Sequence, residues 1–285
     1  MAIRFLAPWL KSKKRTRRPQ VFEGLTKSLF QGEEPGTYTL QFKDQIESPD
    51  YVLHSFPGKG AMANRFSELL MKRLEEVRVS THFLRSVNMC EQVVKSLEML
   101  PFRVVIHNKV VGNLALRLGI PEFSELERPI IEFHMKLRHD RDKVITAMHL
   151  DALNWVRQYE IDYLYFIAGR INDNLVGQFQ GVGLRLLNVN LEFGRHYVPN
   201  GGEETLLLLA DDLAPENFLV QDIATGNILT IFEQNNGQFT VNNVNYLEIA
   251  RRFGMVPLST SEAGQEETLM FSEFKERLEN GDVSK

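Results

Sequence analysis

Cysteine is almost missing: the chain has 285 residues and a single Cys, Cys90. That excludes an intrachain disulfide and any multi-cysteine metal site, and it suits a reducing cytoplasm. Long apolar runs are missing too. No stretch approaches the roughly 18 apolar residues of a membrane-spanning helix, so no membrane role is expected. The net charge is small, −4 at pH 7, and gives no global pull toward nucleic acid or acidic lipid. There is no internal repeat and no long low-complexity segment. What remains is ordinary globular material, 43% hydrophobic and 10% aromatic, long enough for one large or two small domains with a real core.

Charge is uneven only at the start. Met1 to Leu10 is mostly apolar, and the basic run Lys11 to Arg18 follows. A secretory signal has the opposite order. The run reads as a solvated arm whose apolar tip packs on a neighbouring subunit, so a homo-oligomer is expected. Nucleic acid is not the expected partner. The basic arm, without interleaved aromatics, is the one place that could hold it.

Patterning along the chain points to an α+β fold. Gln20 to Phe30 and Thr37 to Phe42 are rich in β formers and flank a glycine turn region, as in an antiparallel hairpin. Phe66, Leu69, Leu70 and Leu74 recur at helical spacing within Asn64 to Glu76. Phe102 to His107 reads as a strand. Asp151 to Phe179 reads as one long amphipathic helix with a bend at Gly169. Asn243 to Phe253 reads as a helix stopped by Gly254, and a short helix is expected at Glu267 to Leu278.

The segment from Leu184 to Asp212 carries the chemistry. Leu184 to Glu192 and Thr205 to Ala210 read as two strands, the second ending in Asp211-Asp212. Side chains alternate along a strand, so Leu186, Asn188, Asn190 and Glu192 are expected on one face, and Leu187, Val189 and Leu191 on the other. An antiparallel pairing brings Glu192 near Asp211. The hairpin has no lysine to neutralise them, and two such carboxylates suit a hard cation such as Mg²⁺.

These residues also carry a resemblance. Leu187-Asn188-Val189-Asn190-Leu191-Glu192-Phe193-Gly194, then Asp211-Asp212 and Ala214-Pro215-Glu216, resemble the V-D-F-K-x-E-F-G, D-E and S-P-D blocks of the SAICAR synthetases. These are the purine-pathway ligases, phosphoribosylaminoimidazole-succinocarboxamide synthases. Phe22-Glu23-Gly24-Leu25-Thr26-Lys27 is similar to the family's Y-E-G-K-A-K nucleotide hairpin. Lys59 to Ser67 resembles K-G-x-x-N-N-K-I-S, and Val105 to Leu114 resembles V-V-R-N-x-A-A-G-S-L. Tyr246 to Gly254 looks like the family's last helix. The blocks keep the family's order from Val21 to Gly254.

The resemblance implies a small N-terminal sheet lobe (20–100) and a larger ATP-grasp-like or kinase-like lobe (101–255), with ATP between them. An arm (1–19) precedes them and a polar tail (256–285) follows. It implies ATP and Mg²⁺ as cofactors and a small-molecule substrate. Gly24, Leu25 and Lys27 fall at the nucleotide positions, and Glu192 and Asp211 at the metal positions. Asn188 and Asn190 fall at the catalytic strand's polar positions. His107, Asn113, Lys59 and Glu216 fall in the substrate blocks. Several positions depart. Leu25 replaces a lysine, His107 and Leu219 replace arginines, and Asn188 and Asn190 replace an acid and a lysine. Lys109 or Lys59 could compensate for the lost arginines. Asp44 and Asp142 keep single acids of longer motifs. Three readings follow. The first is an ATP- and Mg-dependent ligase that activates another carboxylate in an altered pocket. The second is an authentic SAICAR synthetase. The third is a non-catalytic nucleotide-binding paralogue.

Overall fold

The computed structural model describes residues 18–137, 143–197 and 205–255. The arm up to Arg17, Asp142 and the tail helix expected at Glu267 to Leu278 lie outside the described residues. The architecture is α+β, with antiparallel strand pairs in each sheet.

Strands β1 (Gln20–Glu23), β2 (Lys27–Gln31) and β3 (Thr37–Phe42) form a meander. A small hairpin, β4 (Gln45–Glu47) and β5 (Leu53–Ser55), leads into α1 (Lys59–Glu76). Asp44 accepts from the N–H groups of Gly58 and Gly60, both at 2.9 Å. It thereby satisfies two of the donors that a helix start leaves free. β6 (Phe83–Asn88) and β7 (Glu91–Lys95) complete a five-stranded sheet of order β1-β2-β3-β7-β6.

The second sheet begins with β8 (Glu98–Lys109). The chain then runs through α2 (Asn113–Leu118), β9 (Glu125–Met135), β10 (Val144–Ile145), α3 (Ala147–Ala152) and α4 (Gln158–Gly181). β11 (Leu184–Tyr197), β12 (Thr205–Ala210), β13 (Phe218–Asp222) and β14 (Ile228–Leu229) follow. A hairpin, β15 (Phe232–Asn235) and β16 (Gln238–Val241), precedes α5 (Asn243–Arg252). The sheet order is β10-β9-β8-β11-β13-β14. β11 is its hub. It pairs with β8 along one edge, and with β13 and then β12 along the other.

One expected helix divides. Thr146 opens α3, and Asn154 at φ 55° turns the chain left-handed before α4 can start. The Glu160 carboxylate accepts the Arg157 N–H at 2.9 Å, which caps α4. Gly169 does not interrupt α4. The core lies between the helices and the second sheet. Phe179 of α4 packs on Phe218 and on Phe253, each with ring centroids 5.0 Å apart. Phe66 of α1 closes the cluster at 4.9 Å from Phe253. No helix among the described residues is long and apolar enough to cross a membrane.

A β-bulge between Leu186 and Asn188 corrects the expected faces of β11. The extra residue shifts the alternation by one. Leu186 joins Val189, Leu191 and Phe193 in the core, and Asn188, Asn190 and Glu192 turn away from it.

Candidate active site

Gly24 makes the tight turn that delivers Lys27. Its N–H donates to the Lys27 carbonyl at 2.8 Å. A Cβ at this position would stand 2.9 Å from that oxygen, so the turn needs glycine. Lys43 braces the turn by bonding the Glu23 carboxylate and the Gly24 carbonyl. Lys27 Nζ then reaches Asp211 at 2.5 Å and Asp212 at 2.7 Å. Two consecutive carboxylates meet one ammonium because Asp211 sits at φ 58°. Aspartate tolerates this left-handed region better than most residues. Glu192 belongs to the pair opposite Ala210 and is bonded to Lys136, just beyond β9, at 2.5 Å. The hairpin does lack a lysine, but the expectation of unneutralised carboxylates is corrected. Lys27 and Lys136 arrive from other strands.

Burial sets the charge states here. It opposes the charge on Lys27, yet Asp211 and Asp212 outweigh it and hold the ammonium above the usual lysine value. Burial likewise opposes the Asp211 carboxylate, but Lys27 keeps it below its usual range. Burial and then the charge of Asp211 push Glu192 up. Burial pushes Asp212 up to about 6, and its Oδ2 is buried without a hydrogen-bond partner. Burial lowers His82 to about 4, so its ring is neutral at pH 7.

These groups line a cleft of about 350 Å³. Gly24, Lys27, Lys136, Glu192 and Asp211 are on its wall, beside an apolar side that includes Leu29, Tyr38, Leu40 and Val94. Leu25 is half-exposed and does not line the cleft. Lys136, Asp212 and His82 were not among the residues singled out from sequence. Lys136 directly follows β9, Asp212 is marked in the sequence only as the end of the second strand, and His82 carries no local signal.

The outward face of the second sheet continues from the cleft. Directly opposite residues on neighbouring strands share a face. Glu192 of β11 is opposite Arg103 of β8, which is opposite His134 of β9. The next row is Asn190, Val105 and Glu132. The row after it is Leu219, Asn188, His107 and Ile130, across β13, β11, β8 and β9. Asn188, Asn190 and His107 therefore share one face, as the site assignment requires. None of the three lines the cleft. Glu132 accepts from Arg117 at 2.6 Å and lies 3.0 Å from His134 Nε2. Burial opposes the Glu132 charge, but the side chains of His107, His134 and Arg117 around it hold the carboxyl well below its usual range.

The remaining candidates separate. Lys59 is buried at the start of α1 and forms an ion pair with Glu216. Tyr246 donates to the same carboxylate at 3.1 Å. Asn113 is exposed at the first turn of α2. Lys109 is bonded to Glu125 at 2.6 Å. Both lysines that could compensate for lost arginines are thus already engaged.

Comparison with known proteins gives a consistent result. The SAICAR synthetase family pattern matches residues 20–226. A phosphoribosylaminoimidazole-succinocarboxamide synthase of Rhodospirillum centenum is 38% identical over 245 residues, covering 85% of this chain and 94% of the relative. The enzyme of that name from Gluconobacter oxydans is 38% identical over 244 residues, with 85% and 94% covered. Among solved structures, the Ehrlichia chaffeensis phosphoribosylaminoimidazole-succinocarboxamide synthase aligns with a TM-score of 0.74 at 28% identity, covering 84% of this chain and 100% of that one. A SAICAR synthetase in complex with ADP aligns with a TM-score of 0.73 at 29% identity, covering 84% and 99%.

Proposed function

Because the chain belongs to the SAICAR synthetase family, whose members are ATP-dependent ligases, we propose that it carries out that family's own reaction. Aspartate would be joined to the carboxylate of the phosphoribosylated aminoimidazole at the expense of ATP. The carrying observation is the cleft, in which Lys27, Lys136, Glu192 and Asp211 meet beside an apolar wall. The extent of the match, 94% of a relative's length, favours this reaction over the reading with another carboxylate.

A carboxylate does not accept an amine, so it must first gain a leaving group. A carboxylate oxygen attacks the terminal phosphorus of ATP, the bond to ADP breaks, and an acyl phosphate forms. The aspartate amine then attacks the acyl carbon and loses a proton, and inorganic phosphate leaves. In this reading the apolar wall takes the base and Gly24 lets the backbone approach the phosphates. Lys27 and Lys136 supply point charges to them. Asn188 and Asn190 orient the reacting groups by hydrogen bonding. His107, Asn113, Lys59 and Glu216 belong to the substrate side, Lys59 and Glu216 as an ion pair that shapes it. Glu192 and Asp211 would hold Mg²⁺. The donor set fits, because two mutually repelling, partly buried carboxylates are oxygen ligands that a divalent cation relieves. When bound, the metal neutralises developing phosphate charge.

A second reading keeps the chemistry and changes the acceptor. The row Leu219, Asn188, His107 and Ile130 offers no permanent positive charge, so a substrate without a phosphate would suit it better. Incubation of the chain with Mg-ATP, the aminoimidazole carboxylate ribotide and aspartate separates the cases. The succinocarboxamide product is expected together with ADP. ADP release only with other carboxylates would select the second reading. Nucleotide-dependent thermal stabilisation with no turnover of any substrate would make the chain a non-catalytic paralogue.

A further inference from the structure

We infer that His107, His134 and Glu132 form a binding site for a divalent transition-metal ion of the Zn²⁺ class, separate from the carboxylates of the cleft. The strands build it. Glu132 and His134 are two residues apart on β9 and so share a face. His107 of β8 is opposite Ile130, diagonal to Glu132 on the same face. One ligand atom from each of the three lies within 4.8 Å of the others.

The spacing suits a small ion. Two ligands of a tetrahedral Zn²⁺ with bonds of about 2.0–2.1 Å stand about 3.3 Å apart. His107 Nε2 lies 3.5 Å from Glu132 Oε2, and His134 Nε2 lies 3.0 Å from it. The donors are also available. Both histidines are about nineteen-twentieths buried, at 5% exposure each. Neither ring nitrogen of His107 has a hydrogen-bond partner, nor has His134 Nδ1. The His107 imidazole is thus a ligand without competition, and leaving it unpaired in the interior is costly; His134 Nε2 rests 3.0 Å from Glu132 Oε2 and exchanges that contact for the ion. Arg117, about a third exposed at 31% on its short helix, can swing from Glu132 or share its carboxylate.

Ligand chemistry selects the ion. Two imidazoles and one carboxylate favour Zn²⁺, Co²⁺ or Fe²⁺ over Mg²⁺, which prefers oxygen alone. Three protein ligands leave a position open for a substrate oxygen or water.

The full chain, stripped of metal, is titrated with Co²⁺ and followed by visible absorption, then with Zn²⁺ by calorimetry. One ion per chain is expected to give a saturable histidine-ligated Co²⁺ spectrum that Zn²⁺ displaces and excess Mg²⁺ does not. His134→Gln and Glu132→Gln should each weaken binding by more than about 10-fold, the least that even an outer-shell partner costs. Asp211→Asn should leave the spectrum unchanged, which separates this site from any failure of the Mg-ATP reading. Circular dichroism of the metal-free variants checks folding, and if either variant misfolds, the Zn²⁺-induced rise in Tm of the unaltered chain decides. No saturable binding, no rise in Tm, or equal binding by the histidine and glutamate variants would overturn the inference. The three side chains would then be an ordinary hydrogen-bonded cluster.

Discussion

The two ends of β11 differ in how they handle charge. At Glu192 the strand faces a charged cleft, in which Lys136 pairs with Glu192 and Lys27 is shared by Asp211 and Asp212. At Asn188, four residues earlier, its own row of Leu219, His107 and Ile130 has no permanent charge. One strand thus carries a charged site and an uncharged one a turn of the sheet apart. A buried ion set is hard to change singly, because removing one member strands the rest. A neutral amide row can change one residue at a time. The cleft is therefore the constrained half of the site and the row is the adjustable half.

The sharpest break of this comparison is Lys27→Met. It leaves Asp211 and the 3%-exposed side chain of Asp212 without their shared cation. We expect a loss of about 3–5 kcal/mol in stability, read from the urea midpoint. A loss under about 1 kcal/mol would mean that the cleft charges are solvated and the contrast with the row is false.

His82 tests the same region by pH. Its ring is neutral in the fold, with a pKa near 4, while the unfolded chain takes the proton near 6.5. Its stabilising contribution is full above pH 6.5 and drains away as the pH falls to about 4. The total is ~3 kcal/mol. Denaturation curves of His82→Gln should lose less stability across that window than the unaltered chain. Identical slopes would show that His82 is hydrated.

Asp211→Asn should keep the fold, since asparagine also accepts φ near 58°. Mg-ATP affinity should fall by about 10- to 100-fold, the worth of one charge-assisted contact. Thermal shift against Mg-ATP concentration reads it, and wild-type affinity would remove Asp211 from the metal site. The smallest effect is expected in the adjustable row. His107→Arg with Leu219→Arg should lower KM for a phosphorylated substrate by about 10-fold with the fold retained. An unchanged KM would show that Glu132 captures the new arginine.

The hairpin and its two carboxylates were legible in the sequence because alternation and the Asp211-Asp212 ending are local. The same alternation misplaced Leu186, since a single bulged residue leaves no mark on the pattern. The start of α4 was misread for a related reason: the apolar spacing runs through Asn154, whose left-handed φ is invisible to periodicity. Lys27 was singled out as a phosphate ligand, but its two carboxylate partners directly follow one strand, β12, distant in sequence. The His134–Glu132 pair was missed because only the β8–β9 register places it on the working face, and Lys136 because its partner Glu192 is distant in sequence.

The hub position of β11 also bears on the order in which the chain can assemble. Its partners β12 and β13 follow it closely in sequence, whereas β8 is separated from it by two strands and three helices. Short loops close at less entropic cost than long ones, so the local pairings are expected to form first and the joining of β8 to β11 to be slow. During synthesis β11 emerges long after β2 has left the ribosome. Lys27, Glu192 and Asp211 are thus hydrated while apart and lose their water only in the step that brings them together. Assembled this late, the cleft never holds a buried charge in waiting for its partner.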